Sequence, residues 1–188
     1  MRTTPLLPNQ FYHLYNRGVD KSPIFFLPEN WSYFLRRLRN YSSPSQSTII
    51  AYCLMPNHYH LLVHVNCDNF SQSVMQPFLV SYTKAINKQQ DRSGPLFQGP
   101  FQARLIKNDS HIIALATYIH LNPVVAGLVF TPESWEYSSY REYIGLRHGT
   151  LPHPDIVLNQ FFDRDAYRMY THVSMQIKPP LPKDLFMD

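Results

Sequence analysis

A strand-length apolar run, Thr48 to Met55, ends at a Pro56-Asn57 pair, and a second strand-length segment, His58 to Val65, follows at once, so the chain has to reverse between them. Pro-Asn is a turn signal, so the second run returns as the hairpin partner of the first. Along the second run Tyr59, Leu61, Val63 and Val65 fill one face with large or branched side chains. His58, His60, Leu62 and His64 take the other face. The pattern predicts a buried strand with polar residues gathered at one end. His58 and His60 share a face with attachment points roughly 6.7 Å apart, within reach of one metal ion. Nine histidines in 188 residues give about 0.4 such pairs by chance. Two core histidines satisfied by backbone hydrogen bonds are therefore the competing reading.

The rest of the chain supplies partners for that hairpin. Residues 11 to 16 are rich in strand-forming aromatics and close on Arg17-Gly18, a turn signal. Trp31, Phe34, Leu35 and Leu38 recur at helical spacing, predicting a helix from Glu29 to Tyr41. A second helical pattern runs from Phe70 to Gln90 through Val74, Phe78, Tyr82 and Ile86, with Pro77 expected to kink or restart it. Phe101 to Ile106 reads as a fourth strand. A third helix, capped by Asp109 or Ser110, runs through Ile112, Leu115 and Ile119 until Pro123 stops it. The resulting order is β-α-β-β-α-β-α. A Pro-containing break at Leu151-Pro-His-Pro154 divides residues 1–150 from a packing appendage, 151–188, with a short helix near Phe161 to Val173 and a Pro-rich end.

The two cysteines, Cys53 and Cys67, have neither CxxC nor zinc-ribbon spacing and give no disulfide framework. The start lacks an apolar run long enough for a signal peptide, and no stretch reaches membrane-spanning length. A cytoplasmic location follows as the expectation, with no membrane partner. Net charge is +4, and residues 71–107 carry Lys84, Lys88, Arg92, Arg104 and Lys107 against Asp91 alone. Basic residues interleaved with Tyr82, Phe97 and Phe101 suit phosphate contacts and base stacking on single-stranded nucleic acid; an ordinary solvated helix face is the alternative.

Within the third helix Tyr118 and Asn122 stand four residues apart and share a face. Set beside the histidine strand, they would offer a phenolic nucleophile and an amide oxygen to one ion. A phenol with a pKa near 10 is a weak nucleophile at neutral pH, but a divalent ion polarising the attacked phosphate lowers the demand on it. Tyr82 is the reserve nucleophile and more readily a packing or stacking residue; His64, His111 and His120 read as structural or solvent-facing.

YHLYNRG, MPNHYHLLV, SYTKAINKQ, GPLFQGPFQARLI, ATYIHLNPVVAGLV and WEYSSYREYIG occur in that order from His13 to about Gly145. Together they resemble the REP-associated tyrosine transposases of the HUH-type single-tyrosine transposase superfamily. The resemblance implies an α+β fold, a ferredoxin-like or RRM-like antiparallel sheet with helices packed on it. It also implies metal-dependent cutting and joining of single-stranded DNA at a hairpin from a repetitive extragenic palindrome, beside a short guide sequence. Carried over by motif, His58, His60 and Asn122 hold the metal and Tyr118 is the nucleophile, forming a 5′-phosphotyrosine and releasing a 3′-OH. Arg17, Lys84, Lys88, Arg104 and Lys107 are the expected DNA contacts. Magnesium or manganese is the expected ion, because both suit a mixed site with open oxygen positions. The sequence departs from the family pattern at Pro100 and Pro77, which bears on DNA binding and not on the catalytic set. A domesticated hairpin-binding module, or a metal-dependent hydrolase that does not use the tyrosine, are the alternative functions. A nucleoid location is expected, and the oligomeric state, monomer or homodimer, stays open.

Overall fold

The 48–65 hairpin forms as its pattern dictates: β2 spans Ser47–Met55 and β3 spans His58–Val65, paired antiparallel around the Pro56-Asn57 turn. The computed structural model of the protein describes residues 6–177. β1, Gln10–Arg17, lies antiparallel on the other side of β3, and β4, Gln102–Ile106, closes the sheet in the order β2-β3-β1-β4. A strand buried on both faces must be apolar throughout. β2 meets that demand from Ile49 to Met55, while β3 meets it on the face of Tyr59, Leu61, Val63 and Val65 and carries its three histidines on the other.

One face packs on α1, Pro28–Tyr41, and α2, Gln76–Gln89. Leu14, Tyr59, Leu61 and Val63 interlock there with Phe34, Leu38, Phe78 and Tyr82, all buried. The opposite face packs on α3, Asp109–Val125, through Ile50, Cys53 and Leu62 against Ile112, Leu115 and Ile119. Each fully buried side chain of this kind contributes about 1.5–3 kcal/mol. After α3 the chain turns back over β2, adding the short α4, Tyr140–Tyr143, and α5, Asp155–Leu158, then α6, Arg164–Ile177. Tyr143, Val157 and Tyr167 from this stretch join the α3-side core.

The helix limits differ from the sequence expectation where capping decides them. α1 begins at Pro28, a residue whose missing N–H is no loss in a first turn. The Asn30 amide oxygen accepts from the Phe26 and Leu27 backbone N–H groups, both at 2.9 Å. α3 is capped by Asn108, whose Oδ1 accepts from the His111 N–H at 3.0 Å, and not by Asp109 or Ser110. Nor does Pro123 stop α3. The helix runs on to Val125, and the chain leaves it at Gly127, with φ +70°. Pro77 restarts a helix as expected: a wider turn, Ser71–Met75, ends where α2 begins. α6 is about as long as the helix expected near Phe161 to Val173 but begins and ends a turn later, while the Pro-rich end of the chain lies outside the described residues.

Cys53 and Cys67 are free thiols. No helix among the described residues is long and apolar enough to cross a membrane.

Gly18, which ends β1, is required by crowding. A Cβ there would lie 2.0 Å from the backbone oxygen of Ser22 and 3.1 Å from Ile24 Cγ2. Gly18→Ala should destabilise the fold by about 1–3 kcal/mol, because the clashing atom is backbone and does not swing away. Chemical denaturation checks this, and a loss under about 0.5 kcal/mol, the scale of ordinary surface changes, would show that the turn relaxes freely.

Candidate active site

The register of the two central strands assembles the site. Arg17 lies opposite His58, Tyr15 opposite His60 and His13 opposite Leu62. On the other side of β1, Gln102 lies opposite Tyr15 and Arg104 opposite His13. Directly paired residues share a face with Cβ atoms about 5 Å apart. Polar side chains therefore form rows across the sheet, Gln102–Tyr15–His60 next to Arg17–His58, on the face that α3 covers only in part.

α3 sets Tyr118 and Asn122 against those rows, one turn apart. The Tyr118 ring meets His60 edge-on with centroids 5.6 Å apart and His13 at 6.4 Å. The His58 and His60 rings are 5.0 Å apart and nearly perpendicular. The Asn122 amide neighbours the His58 imidazole closely enough to act on its charge, and His58 Nδ1 holds Asn57 Oδ1 at 2.6 Å. The structure thus brings His58, His60, Tyr118 and Asn122 to one place. His60 and Asn122 are buried, while Tyr118 is half-buried at the mouth.

Burial holds both imidazoles neutral. His58 is lowered from its ordinary 6.5 to about 4, chiefly by burial, with Asn122 opposing the shift and the Arg17 charge adding to it. His60 is lowered well below 6.5 by burial, then by His13 and His58. A metal ligand must be deprotonated, so these shifts favour ligation at neutral pH.

The donor set also fits a divalent ion. His60 Nε2 and Asn122 Nδ2 are buried with no hydrogen-bond partner, a costly state that a ligand at this spot relieves. An Asn122 amide flipped about its terminal bond would present its oxygen there in place of the orphaned N–H. Two imidazoles and one amide oxygen suit manganese or a later divalent transition ion, and the open positions they leave for oxygen ligands also suit magnesium. Among the described residues no group of three His, Cys, Asp or Glu is placed to hold a metal, and the Asn122 amide is the further polar group beside the two histidines.

Beside the site a polar cleft of about 410 Å³ opens over the uncovered ends of β1 and β4, lined by Tyr15, Arg17, Gln98, Gln102 and Arg104. Arg104 Nε donates to the Tyr15 hydroxyl at 3.0 Å, and Arg17 Nε donates to Gln98 Oε1 at 2.5 Å. The Asn16 amide donates to the Gly99 carbonyl at 2.9 Å and ties β1 to the loop before β4. A second, mainly apolar cleft of about 590 Å³ shares Asn16, Gly99 and Pro100 with the first and carries Lys84 on its wall.

Of the five predicted cationic contacts, Arg17 and Arg104 flank the site and Lys84 borders the adjoining cleft. Lys88 is exposed a turn further along α2, and Lys107 follows β4 at the Phe11 end of the sheet, away from His58. Tyr82 is fully buried under α1, its hydroxyl donating to the Ile24 carbonyl at 2.8 Å, and so packs the core. His64 bonds Asn66, and His120 bonds Tyr167 and Ser139. Sequence reasoning missed His13 and Tyr15 as neighbours of the site. The i, i+2 spacing of His13, Tyr15 and Arg17 was the available signal, but it becomes informative only once β1 is known to lie beside β3.

The family model for IS200-like transposases matches residues 9–122, which takes in β1 through the tyrosine and asparagine of α3. A Haemophilus influenzae protein whose name assigns it to the REP-associated tyrosine transposases is 26% identical over 149 residues, 67% of this chain and 84% of its own length. A solved structure of a REP-associated tyrosine transposase bound to a REP hairpin superposes with a TM-score of 0.61 at 18% identity. That match covers 81% of this chain and 93% of the other. The matched segment contains every strand of the sheet, both histidines, Tyr118 and Asn122, and the chain belongs to the IS200-like transposase family.

Proposed function

We propose that this protein is a metal-dependent single-stranded DNA endonuclease and strand transferase acting on hairpin DNA of the REP type. The observation that carries the reading is the placement of the Tyr118 ring edge-on to His60, with Asn122 one turn along the same helix at His58. A divalent ion held by His58, His60 and Asn122, magnesium or manganese in the cell, would polarise a non-bridging oxygen of the phosphodiester. Tyr118 Oη attacks phosphorus and gives up its proton to solvent, the P–O3′ bond breaks, and the departing 3′ oxygen takes a proton from solvent, leaving a 5′-phosphotyrosine and a free 3′-OH. Attack by a 3′-OH of another strand reverses the step and regenerates the phenol. Neutral imidazoles leave the ion's full charge available, and Arg17 and Arg104 supply cations for the flanking phosphates.

The similarity to a protein bound to a REP hairpin supports the hairpin as substrate, and such a substrate would have the protein act on the chromosome, at the nucleoid of a cytoplasm. The test is incubation with 5′-extended labelled hairpin DNA and Mn²⁺. A covalent protein–DNA adduct, released when a 3′-OH strand is added, is the expected result. Cleavage with no adduct would assign a metal-bound-water hydrolase instead, and binding without cleavage a pure recognition module.

The cleft makes a separate prediction. Arg17→Ala with Arg104→Ala should weaken single-stranded DNA binding and lower the salt slope by roughly 1.4, about 0.7 for each lost phosphate contact. Anisotropy titrations over a salt series read this directly. An unchanged slope would remove the cleft from the DNA path.

A further inference from the structure

We infer that His13 is a positioning residue that fixes the tautomer of His60 and so makes its Nε2 available as a ligand. The inference rests on the metal-site reading above. His13 and His60 are both fully buried. Their rings stack with centroids 5.1 Å apart and planes 23° from parallel, and His13 Nε2 lies 2.9 Å from His60 Nδ1. The strand register explains the contact: His13 is paired with Leu62, so its ring reaches diagonally across to the neighbouring histidine.

One hydrogen bond between two neutral imidazoles leaves only two arrangements. If His13 donates, the single proton of His60 must sit on Nε2, where no acceptor exists, and the lone pair a metal needs is lost. If His60 donates from Nδ1, its Nε2 carries the lone pair, and His13 must hold its own proton on Nδ1. The second arrangement leaves no buried N–H orphaned on His60 and presents a ligand nitrogen on the side of the ring turned away from His13. A ligating histidine is held this way by a partner that accepts its second N–H, usually a carboxylate or a carbonyl. Here an imidazole from the adjacent strand takes that part, and the face of β1 next to β3 offers no acidic residue to do so.

Two readouts test this on the full-length protein. Long-range ¹H–¹⁵N correlation spectra of the metal-free protein should show His60 protonated at Nδ1 and bare at Nε2, with His13 also protonated at Nδ1. Calorimetric titration with Mn²⁺ should show binding weakened roughly 10- to 100-fold in His13→Phe, which keeps a ring but offers no acceptor. His13→Gln, which can present a carbonyl to Nδ1–H, should recover most of that loss, whereas a packing role alone would favour the aromatic variant. An Nε2–H tautomer of His60 in the wild type overturns the inference, as does wild-type Mn²⁺ affinity in His13→Phe. If the wild type itself binds no Mn²⁺, the metal reading falls, while the tautomer measurement still decides the pairing on its own. Should His13→Phe fail to fold, the wild-type spectrum and His13→Gln carry the decision.

Discussion

Tyr118→Phe is expected to abolish formation of the protein–DNA adduct, lowering hairpin cleavage by at least about 10³-fold, as loss of a covalent nucleophile does. The substitution removes one oxygen from a half-buried ring and leaves the edge-on contact with His60 in place. The fold, Mn²⁺ binding and hairpin affinity should therefore stay close to wild type. Tyr82→Phe is the control: it loses a buried hydrogen bond to Ile24 and about 1 kcal/mol of stability, but keeps the adduct. Cleavage that survives in Tyr118→Phe would mean that water or another group attacks the phosphate.

The second large effect is acid lability. His120 is fully buried between Tyr167 and Ser139, and burial pushes its pKa down from 6.5 to about 3; His58 falls to about 4 for the same main reason. Above pH 6.5 these groups are neutral folded or unfolded, so they make stability pH-independent there. As pH falls below 6.5 the unfolded chain takes up protons that the native state refuses, and stability drops until the folded pKa is reached. His120 alone should remove about 2 kcal/mol by pH 5, at about 1.4 kcal/mol per pH unit, and His58 a comparable amount. Denaturation midpoints between pH 7.5 and 4.5 measure this. Stability that stays flat down to pH 5 would show that these histidines protonate in place.

How much of this was legible beforehand depends on how local the information is. The β2–β3 hairpin, the sheet content and α1 to α3 follow from apolar period and turn residues, which are properties of neighbouring positions. Tyr118 and Asn122 were legible for the same reason, since four residues on a helix fix a shared face. Helix ends were not: the cap at Asn108 and the passage of α3 through Pro123 depend on side-chain hydrogen bonds and packing that periodicity does not encode. His13 was hidden because its meaning comes from a partner 47 residues away on another strand. Arg17 and Arg104 were separated from Lys107 only by the register of β1 with β4, which places one pair beside the histidines and the other cation at the far end of the sheet.

The chain that folds back over β2 after α3 has a bearing on what the outer edge of that strand can pair with. β2 is an outer strand, nine residues long and almost wholly apolar. Left bare, such an edge templates the addition of strands from other molecules. Here the Leu54 N–H donates to the Tyr137 carbonyl, the Ser139 N–H to the Tyr52 carbonyl and the Trp135 indole to the Leu54 carbonyl, so residues 135–139 occupy the edge. The family match ends at residue 122. The segment that caps the edge thus lies outside the residues that the family model matches, and a fragment trimmed to them would keep the whole histidine and tyrosine constellation while exposing an adhesive strand to solvent.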